Sequence, residues 1–373
     1  MQEIKSDRLY HAFMTGAREV MASRRLLNDI NVFPVPDGDT GNNLNNMMHS
    51  ILMHSEAKPS IKETLDSISN SAILGARGNS GAIFSQYIHG ISLVEAPTES
   101  FTAEYFIAAA KRGYTCAYAA VEIPVEGTIL TTMRVFHEAL HAYNQSKNSF
   151  NEVLDSAYLK VEESVLETTQ QLKKLKEAAV VDSGAKGFAL FVKGFINGLK
   201  ETTLHKNDLK DLNDEFLTLE PSQHNHLDID VPTHYRYCSE FLIENTQEGG
   251  LDDHQGLKND LSAYGDSLVI SRGKSLSRIH LHTDKPDQVV HRISRDYKLL
   301  EQKIEDMKRQ YELRHNRLYK TVILTDSSAD IPKSFLDKGQ VVVLPLELIM
   351  DGSSYRDKVT IDNDYLFDWV EKT

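Results

Sequence analysis

A chain of 373 residues with only two cysteines is long enough for two or three domains with full cores, and too poor in thiols for a disulfide framework. Its 54 acidic against 41 basic side chains give a formal charge of −13, which argues against the basic face of a nucleic-acid binder. No stretch approaches the uninterrupted apolar length of a membrane span, and MQEIKSDRLY has no signal-peptide apolar region, so a reducing cytoplasm is the expected location.

Residues 1 to about 200 read as helical, with Leu9, Phe13, Gly16, Val20 and Leu27 recurring at helical spacing and Leu154, Leu159, Val165 and Leu172 continuing the pattern. Within this region NVFPVPDGDTGNN places Asp37 and Asp39 one residue apart. Pro34 and Pro36 stiffen the approach, and Gly38 and Gly41 open conformations closed to other residues. Like charges held side by side repel unless a cation or protons lie between them, so the spacing points to a metal site, although the same residues also make ordinary surface turns. A calcium-binding helix-loop-helix is excluded: counted from Asp37, its fifth, sixth and twelfth positions hold Gly41, Asn42 and Met48. Magnesium carried by a phosphate ligand is the cation that one or two carboxylates suit.

Three further stretches carry candidate chemistry. GARGNSG sets Gly75, Gly78 and Gly81 before an apolar helical pattern, with Asn79 and Ser80 at the helix start and Arg77 adding charge, an arrangement that suits an anion. It is neither a P-loop nor a dinucleotide fingerprint, and glycine before a helix is also common loop chemistry. VEGTILT (residues 125–131) and VVDSGAKGFALF (residues 180–191), where Asp182 precedes Ser183-Gly184, are weak alone. Together, the four stretches put acidic, hydroxyl and glycine groups at the ends of several predicted helices.

After a polar, aperiodic segment at 201–230 that suits a linker, the texture changes to short, often alternating runs: YRYCSEFLIE, DSLVISRG and LSRIHLHTD. KPDQVVHRISRDYKLL and LEQKIEDMKRQYELRHNRL read as helix, giving a small α/β unit over 231–318. On a strand, His280 and His282 share one face while Ile279 and Leu281 face the core. Cys238 on a neighbouring strand would complete most of a zinc set, with Glu240 or water as fourth ligand; the alternative is two half-exposed histidines and an inert cysteine. From 319, KTVILTDSSADIP and QVVVLPLELIMDGSSYRD read as buried-strand runs, and about 55 residues are too few for the α/β domain they begin, so a truncated chain is expected.

In this order and spacing the four N-terminal stretches resemble the nucleotide-binding domain shared by dihydroxyacetone kinases and bacterial fatty-acid kinases, with NVFPVPDGDTG nearer the fatty-acid kinase branch. The resemblance implies an all-helical barrel over residues 1–200 that binds Mg-ATP, with Asp37 and Asp39 as catalytic ligands to two magnesium ions. It also implies phosphate-loop roles for Asn79, Ser80 and Gly81, a nucleotide-site wall at Thr128, and Asp182 nearby. The third aspartate of the dihydroxyacetone kinase pattern has Asp29 or Asn31 as its counterpart here. Asn42, a cofactor-site position, and Leu44 stand where the family usually shows Thr and Met. YCSEF, GDSLVI and IHLHTD resemble the fatty-acid kinase middle domain, in which the equivalents of Cys238, His280 and His282 can hold zinc. Residues 319–373 resemble the beginning of a DegV-type fatty-acid-binding protein, here fused to the kinase.

The implied activity is transfer of phosphate from ATP to a fatty acid presented by a DegV-like module, fused or separate, with no nucleic-acid partner and with a homodimer allowed. A carboxylate acceptor is already ionised at neutral pH and needs no strong base. The rivals are a dihydroxyacetone-type kinase and a non-catalytic, nucleotide-sensing regulatory protein that binds ADP without turnover. Multidomain architecture is expected throughout: helical domain, α/β middle domain, DegV-like segment.

Overall fold

The computed structural model describes residues 4–34, 36–95, 102–141, 149–201, 234–245, 254–315, 319–338, 340–361 and 363–372. The linker expected at 201–230 lies, from 202 onward, outside the described residues. Two compact units form, Met1–Val231 and Pro232–Thr373.

The first unit is helical: α1 (Ser6–Ala22), α2 (Arg24–Asp29), α3 (Thr40–His54), α4 (Ile61–Gly75), α5 (Gly78–Ser92), α6 (Ala103–Ala120), α7 (Ile129–His141), α8 (Phe150–Gln171), α9 (Lys173–Ala178) and α10 (Ser183–Lys200). Side-chain caps start several of these helices. Ser60 accepts from the Glu63 amide, Thr102 from Tyr105, and Ser149 and Glu152 form a full capping box. Helix α10 packs along α1, where Gly16, Gly194 and Gly198 allow close approach: a Cβ on Gly194 would meet Gly16 Cα at 2.8 Å. One stripe of α10 carries Phe188, Phe191 and Phe195 into an aromatic core with Phe13, Phe84, Tyr87, Phe106 and Phe136. Most of these rings meet edge-to-face, the arrangement that ring quadrupoles favour. Leu154 and Val165 of α8 are buried as their spacing predicts, whereas Leu159 is 68% exposed. Five residues past Leu154 is about 140° round the helix, which turns Leu159 off the inward stripe.

The second unit is built on a four-stranded antiparallel sheet of β1 (Tyr237–Glu244), β2 (Gly265–Arg272), β3 (Leu276–Thr283) and β4 (Lys298–Asp306), in the order β2-β3-β1-β4. Helices α11 (His254–Ser262) and α12 (Pro286–Ser294) pack on one face, closing Leu257, Leu261, Val289 and Ile293 over Phe241, Ile243, Ile279 and Leu281. A helix is expected from the Glu-, Lys- and Gln-rich run LEQKIED, yet the structure makes it strand β4, with α13 (Met307–His315) starting only afterwards. Tertiary pairing with β1 overrides helical propensity here, since Leu299 fills the core and the backbone extends the sheet.

The C-terminal segment also departs from expectation. Strand β5 (Ile323–Asp326) pairs in parallel with β6 (Val341–Leu344) across the short α14 (Lys333–Lys338), but Ile323, Leu324 and Leu344 are exposed rather than buried, Leu324 by 65%. The expected second run breaks at Pro345 into β6 and a separate hairpin, β7 (Glu347–Met350) with β8 (Ser353–Arg356), before α15 (Asn363–Lys372). Asp351 and Gly352 both take positive φ, 50° and 75°, the backbone a two-residue hairpin turn demands. This hairpin docks on β4: Ser353 Oγ accepts from the Leu299 amide, Gln302 donates to the Ser354 carbonyl, and Arg356 donates to the Gln302 carbonyl. Met350, Tyr355 and Ile361 complete the core of the middle domain.

Candidate nucleotide and metal sites

The four N-terminal stretches all lie at the starts of helices, and the structure brings those helix starts together. Asp39 is the N-cap residue of α3, Arg77 of α5 and Asp182 of α10, while Thr128 immediately precedes α7. Gly184, in the first turn of α10, sits tightly against its neighbours: a Cβ there would lie 3.3 Å from both Ser80 Oγ and Ile129 Cβ. Gly78 has φ +58°, and a Cβ on it would collide with the Asn43 amide of α3. Ser183 Oγ donates to the Leu27 carbonyl at 2.6 Å, tying α10 to α2. Four helix N-termini with their positive dipole ends therefore lie close together, which suits a polyanion.

The acidic loop sits on that region. Asn31 is buried and joins the two parts of the loop. Its Nδ2 donates to Asp37 Oδ1 at 3.1 Å, and its Oδ1 accepts from the Thr40 amide at 3.1 Å and from the Thr40 hydroxyl. Of the two upstream candidates, Asn31 thus touches Asp37, and Asp29 lies exposed at the end of α2. Asp37 keeps open solvent surface, yet protein crowds it closely on its other sides. That crowding, and then the Asp39 charge, push its carboxyl well above the usual range. Exposure trims the first cause and leaves the second, because two carboxyls this close resist double ionisation. A divalent cation relieves the same repulsion, so the pair fits magnesium.

The remaining sequence-predicted residues divide. Asn79, Ser80 and Gly81 occupy the first turn of α5, and Asn79 Oδ1 is buried without a hydrogen-bond partner. Thr128 donates to the Val125 carbonyl at 2.7 Å, beside Gly127 at φ +81°. Asn42 is committed elsewhere, exchanging hydrogen bonds with Asn28 at 3.0 and 3.1 Å, and Leu44 is a core residue packed against Gly187. Sequence reasoning missed Asn28, Asn43, Thr168 and Lys174. Thr168 accepts from the Asp182 amide at 2.9 Å, and Lys174 reaches the Pro34 carbonyl at 2.8 Å. No local pattern marks any of them, since each acts through a partner at least 14 residues away.

Asp182 is 5% exposed and accepts from the Ala185 amide at 2.7 Å. Burial pushes its pKa up to about 6 against the opposing pull of backbone N–H groups from Ala185, Ile129 and Gly184. A folded pKa above the unfolded one gives stability that is fully present below the unfolded value and lost as pH rises through about 6. Asp182→Asn retains a capping oxygen without the charge. In protein free of nucleotide and metal, it should match the parent near pH 4 and exceed it near pH 7.5, by roughly 3 kcal/mol at most. Denaturant unfolding at the two pH values reads this, and an equal difference at both would contradict it.

In the second unit, Cys238, His280 and His282 offer ligand atoms that all lie within 4.8 Å of one another. The register produces this grouping: Cys238 pairs with His282 and Glu240 with His280 across β1 and β3, on the face opposite Ile279 and Leu281. Cys238 Sγ lies 3.9 Å from His280 Nδ1, and the two imidazole centroids are 5.3 Å apart. His280 is only 3% exposed, which removes the half-exposed alternative for that residue, and its Nε2 is buried without a hydrogen-bond partner. A buried imidazole with one nitrogen orphaned and a thiol against the other, beside a second imidazole, fits zinc.

Comparison with known proteins agrees with this layout. A DAK2 domain matches residues 34–197, a FakA-like middle domain of the fatty acid kinase type matches 234–314, and a DegV family domain, itself described as uncharacterised, matches 320–373. In their order the three matches agree with the fatty-acid kinase resemblance of the sequence. An uncharacterised protein of Staphylococcus saprophyticus is 34% identical over 298 residues, covering 79% of this chain and 54% of that protein. Protein YloV of Bacillus subtilis is 32% identical over 305 residues, covering 80% and 54%. The chain thus spans about half the length of the curated relatives it matches. Among solved structures, the native dihydroxyacetone kinase of C. freundii aligns over 51% of this chain and 34% of its own, at 17% identity and a TM-score of 0.39, too low to support correspondence of residues. Among the described residues no helix is long and apolar enough to cross a membrane.

Proposed function

We propose that the chain is the nucleotide-binding part of a phosphotransferase that moves the γ-phosphoryl group of ATP onto the carboxylate of a fatty acid, giving an acyl-phosphate. The observation that carries this reading is the convergence of the paired aspartates with four helix N-termini in a DAK2 domain. Phosphoryl transfer asks little covalent chemistry of the protein; positioning and charge neutralisation do most of it. Asp37, oriented by Asn31, and Asp39 would hold magnesium, two ions in the full site. Bound there, magnesium supplies neutralisation of the triphosphate charge. The first-turn amides of α5 at Asn79 and Ser80 cradle phosphate oxygens beside Gly81, Thr128 and Gly127 wall the nucleotide, and Asp182 holds the α10 start in register against α7. An ionised carboxylate acceptor needs no general base.

The DegV match beside a fatty acid kinase-type middle domain supports a fatty acid as acceptor, presented by a DegV-type module. ADP release should be measured with Mg-ATP and three additions: fatty acid with a DegV-type carrier, dihydroxyacetone, or neither. Release confined to the first supports the reading. Release with dihydroxyacetone alone moves it to a sugar kinase, and nucleotide binding without release in any arm makes the protein a nucleotide sensor.

For the middle domain we propose a zinc site at Cys238, His280 and His282. Protein purified without chelator should carry about one zinc per chain by metal analysis, and none after all three are replaced. A metal-free parent protein would return the trio to a structural role.

A further inference from the structure

The proposed zinc ligands have two carboxylate neighbours: Glu240, which the sequence offers as a fourth ligand, and Asp266, which it does not mark. Glu240 Oε1 lies 3.6 Å from His280 Nδ1, and both side chains are almost fully buried, at 2% and 4% exposed. Asp266 Oδ1 lies 3.5 Å from His282 Nδ1. The same ring nitrogen of each histidine therefore faces a carboxylate, and the two carboxylates come from different strands, β1 and β2. On His280 the other nitrogen, Nε2, is the buried one with no hydrogen-bond partner.

We infer that Glu240 and Asp266 are positioning residues that hold the two Nδ1–H groups, so that both histidines present Nε2 to the metal. The chemistry requires such partners. A neutral imidazole has one N–H donor and one lone pair, and whichever nitrogen donates leaves the other to ligate. A carboxylate on the donor nitrogen selects the tautomer, fixes the ring and raises the basicity of the ligating nitrogen. Burying Glu240 is costly without a charged or hydrogen-bonding purpose, and its cross-strand partners are His280 on one side and Lys303 on the other.

The backbone at Asp266 supports the assignment. The β2–β3 register slips between Asp266 and Val269, where Ser267 takes φ +56°, a conformation uncommon for a residue with a side chain. Before the bulge Asp266 pairs with His282, and after it Val269 pairs with His280. The extra residue lets β2 offer a carboxylate at one histidine and an apolar side chain at the next, as bulges beside functional sites do.

This rests on the zinc reading, and the test separates the two. Glu240→Gln and Asp266→Asn keep side-chain size and remove the acceptor charge. Zinc affinity, measured by competition with a chromophoric chelator, should fall by about 10- to 100-fold in each variant. The thermal midpoint of the metal-free Asp266→Asn protein should not change, because Asp266 is half-exposed. In the parent protein loaded with zinc, long-range nitrogen–proton correlation spectra should show the proton on Nδ1 and the metal on Nε2 of both rings. Parent-like zinc affinity in both variants, or metal on Nδ1 of either ring, overturns the inference and leaves the zinc site standing. A parent protein that takes up no zinc removes the site and the inference together.

Discussion

Replacing Asp37 and Asp39 together with alanine should abolish magnesium-dependent nucleotide binding and leave the helical unit folded. Both carboxyls sit on one loop, linked to Asn31 and to the start of α3, and no other pair among the described residues has this combination of like charge and four nearby helix starts. The fold should tolerate the change. Asp39 is the N-cap residue of α3, yet its side chain makes no capping hydrogen bond, so alanine removes no cap. Asp37 has its folded pKa raised by crowding and by Asp39, so its favourable contribution exists at acid pH and is lost as pH rises. At neutral pH the metal-free double variant should be no less stable than the parent. Titration calorimetry with ATP, with and without magnesium, reads the binding, and far-ultraviolet circular dichroism reads the helices. Parent-like affinity in the folded double variant would refute the site.

Phe188→Ala should have the largest effect on stability. The ring is fully buried on α10 and meets Phe84 at 5.5 Å, Tyr87 at 5.0 Å and Phe136 at 6.0 Å between centroids, all edge-to-face. It links the α5, α7 and α10 helices, whose N-termini form the proposed phosphate region. Truncating such a ring costs about 3–5 kcal/mol in lost transfer energy and cavity formation. Urea unfolding should show a lower midpoint with an unchanged slope, and nucleotide affinity should weaken only where unfolding begins. A loss under about 1 kcal/mol, on the order of a surface substitution, would mean that the aromatic core repacks.

The candidate nucleotide site was legible because its residues cluster where sequence signals are strongest, at glycine- and proline-marked helix starts. Asp39, Asn79, Ser80, Thr128 and Asp182 all fall at or beside helix starts, as their stretches imply. The grouping of Cys238, His280 and His282 was legible for a related reason, since period-two alternation on β3 puts His280 and His282 on one face and Ile279 and Leu281 on the other. What escaped was set by tertiary contact. LEQKIED has helical composition and becomes strand β4 because β1 offers it a partner. Asp266 joins His282 only through a bulge at Ser267, and Asn43 covers Gly78 only because α3 and α5 pack together. The docking of the β7–β8 hairpin on β4 was likewise invisible, since Ser353, Ser354 and Arg356 act there through partners more than 50 residues away.

The central claim is that the γ-phosphoryl group goes to a carboxylate, and trapping the product tests it most directly. With Mg-ATP, a fatty acid, a DegV-type carrier and hydroxylamine present, an acyl-phosphate is converted to an acyl hydroxamate, which mass spectrometry identifies. The account predicts hydroxamate in step with ADP, and neither product from the Asp37→Ala/Asp39→Ala protein. ADP formed without hydroxamate, or phosphate recovered on a sugar hydroxyl, would contradict it.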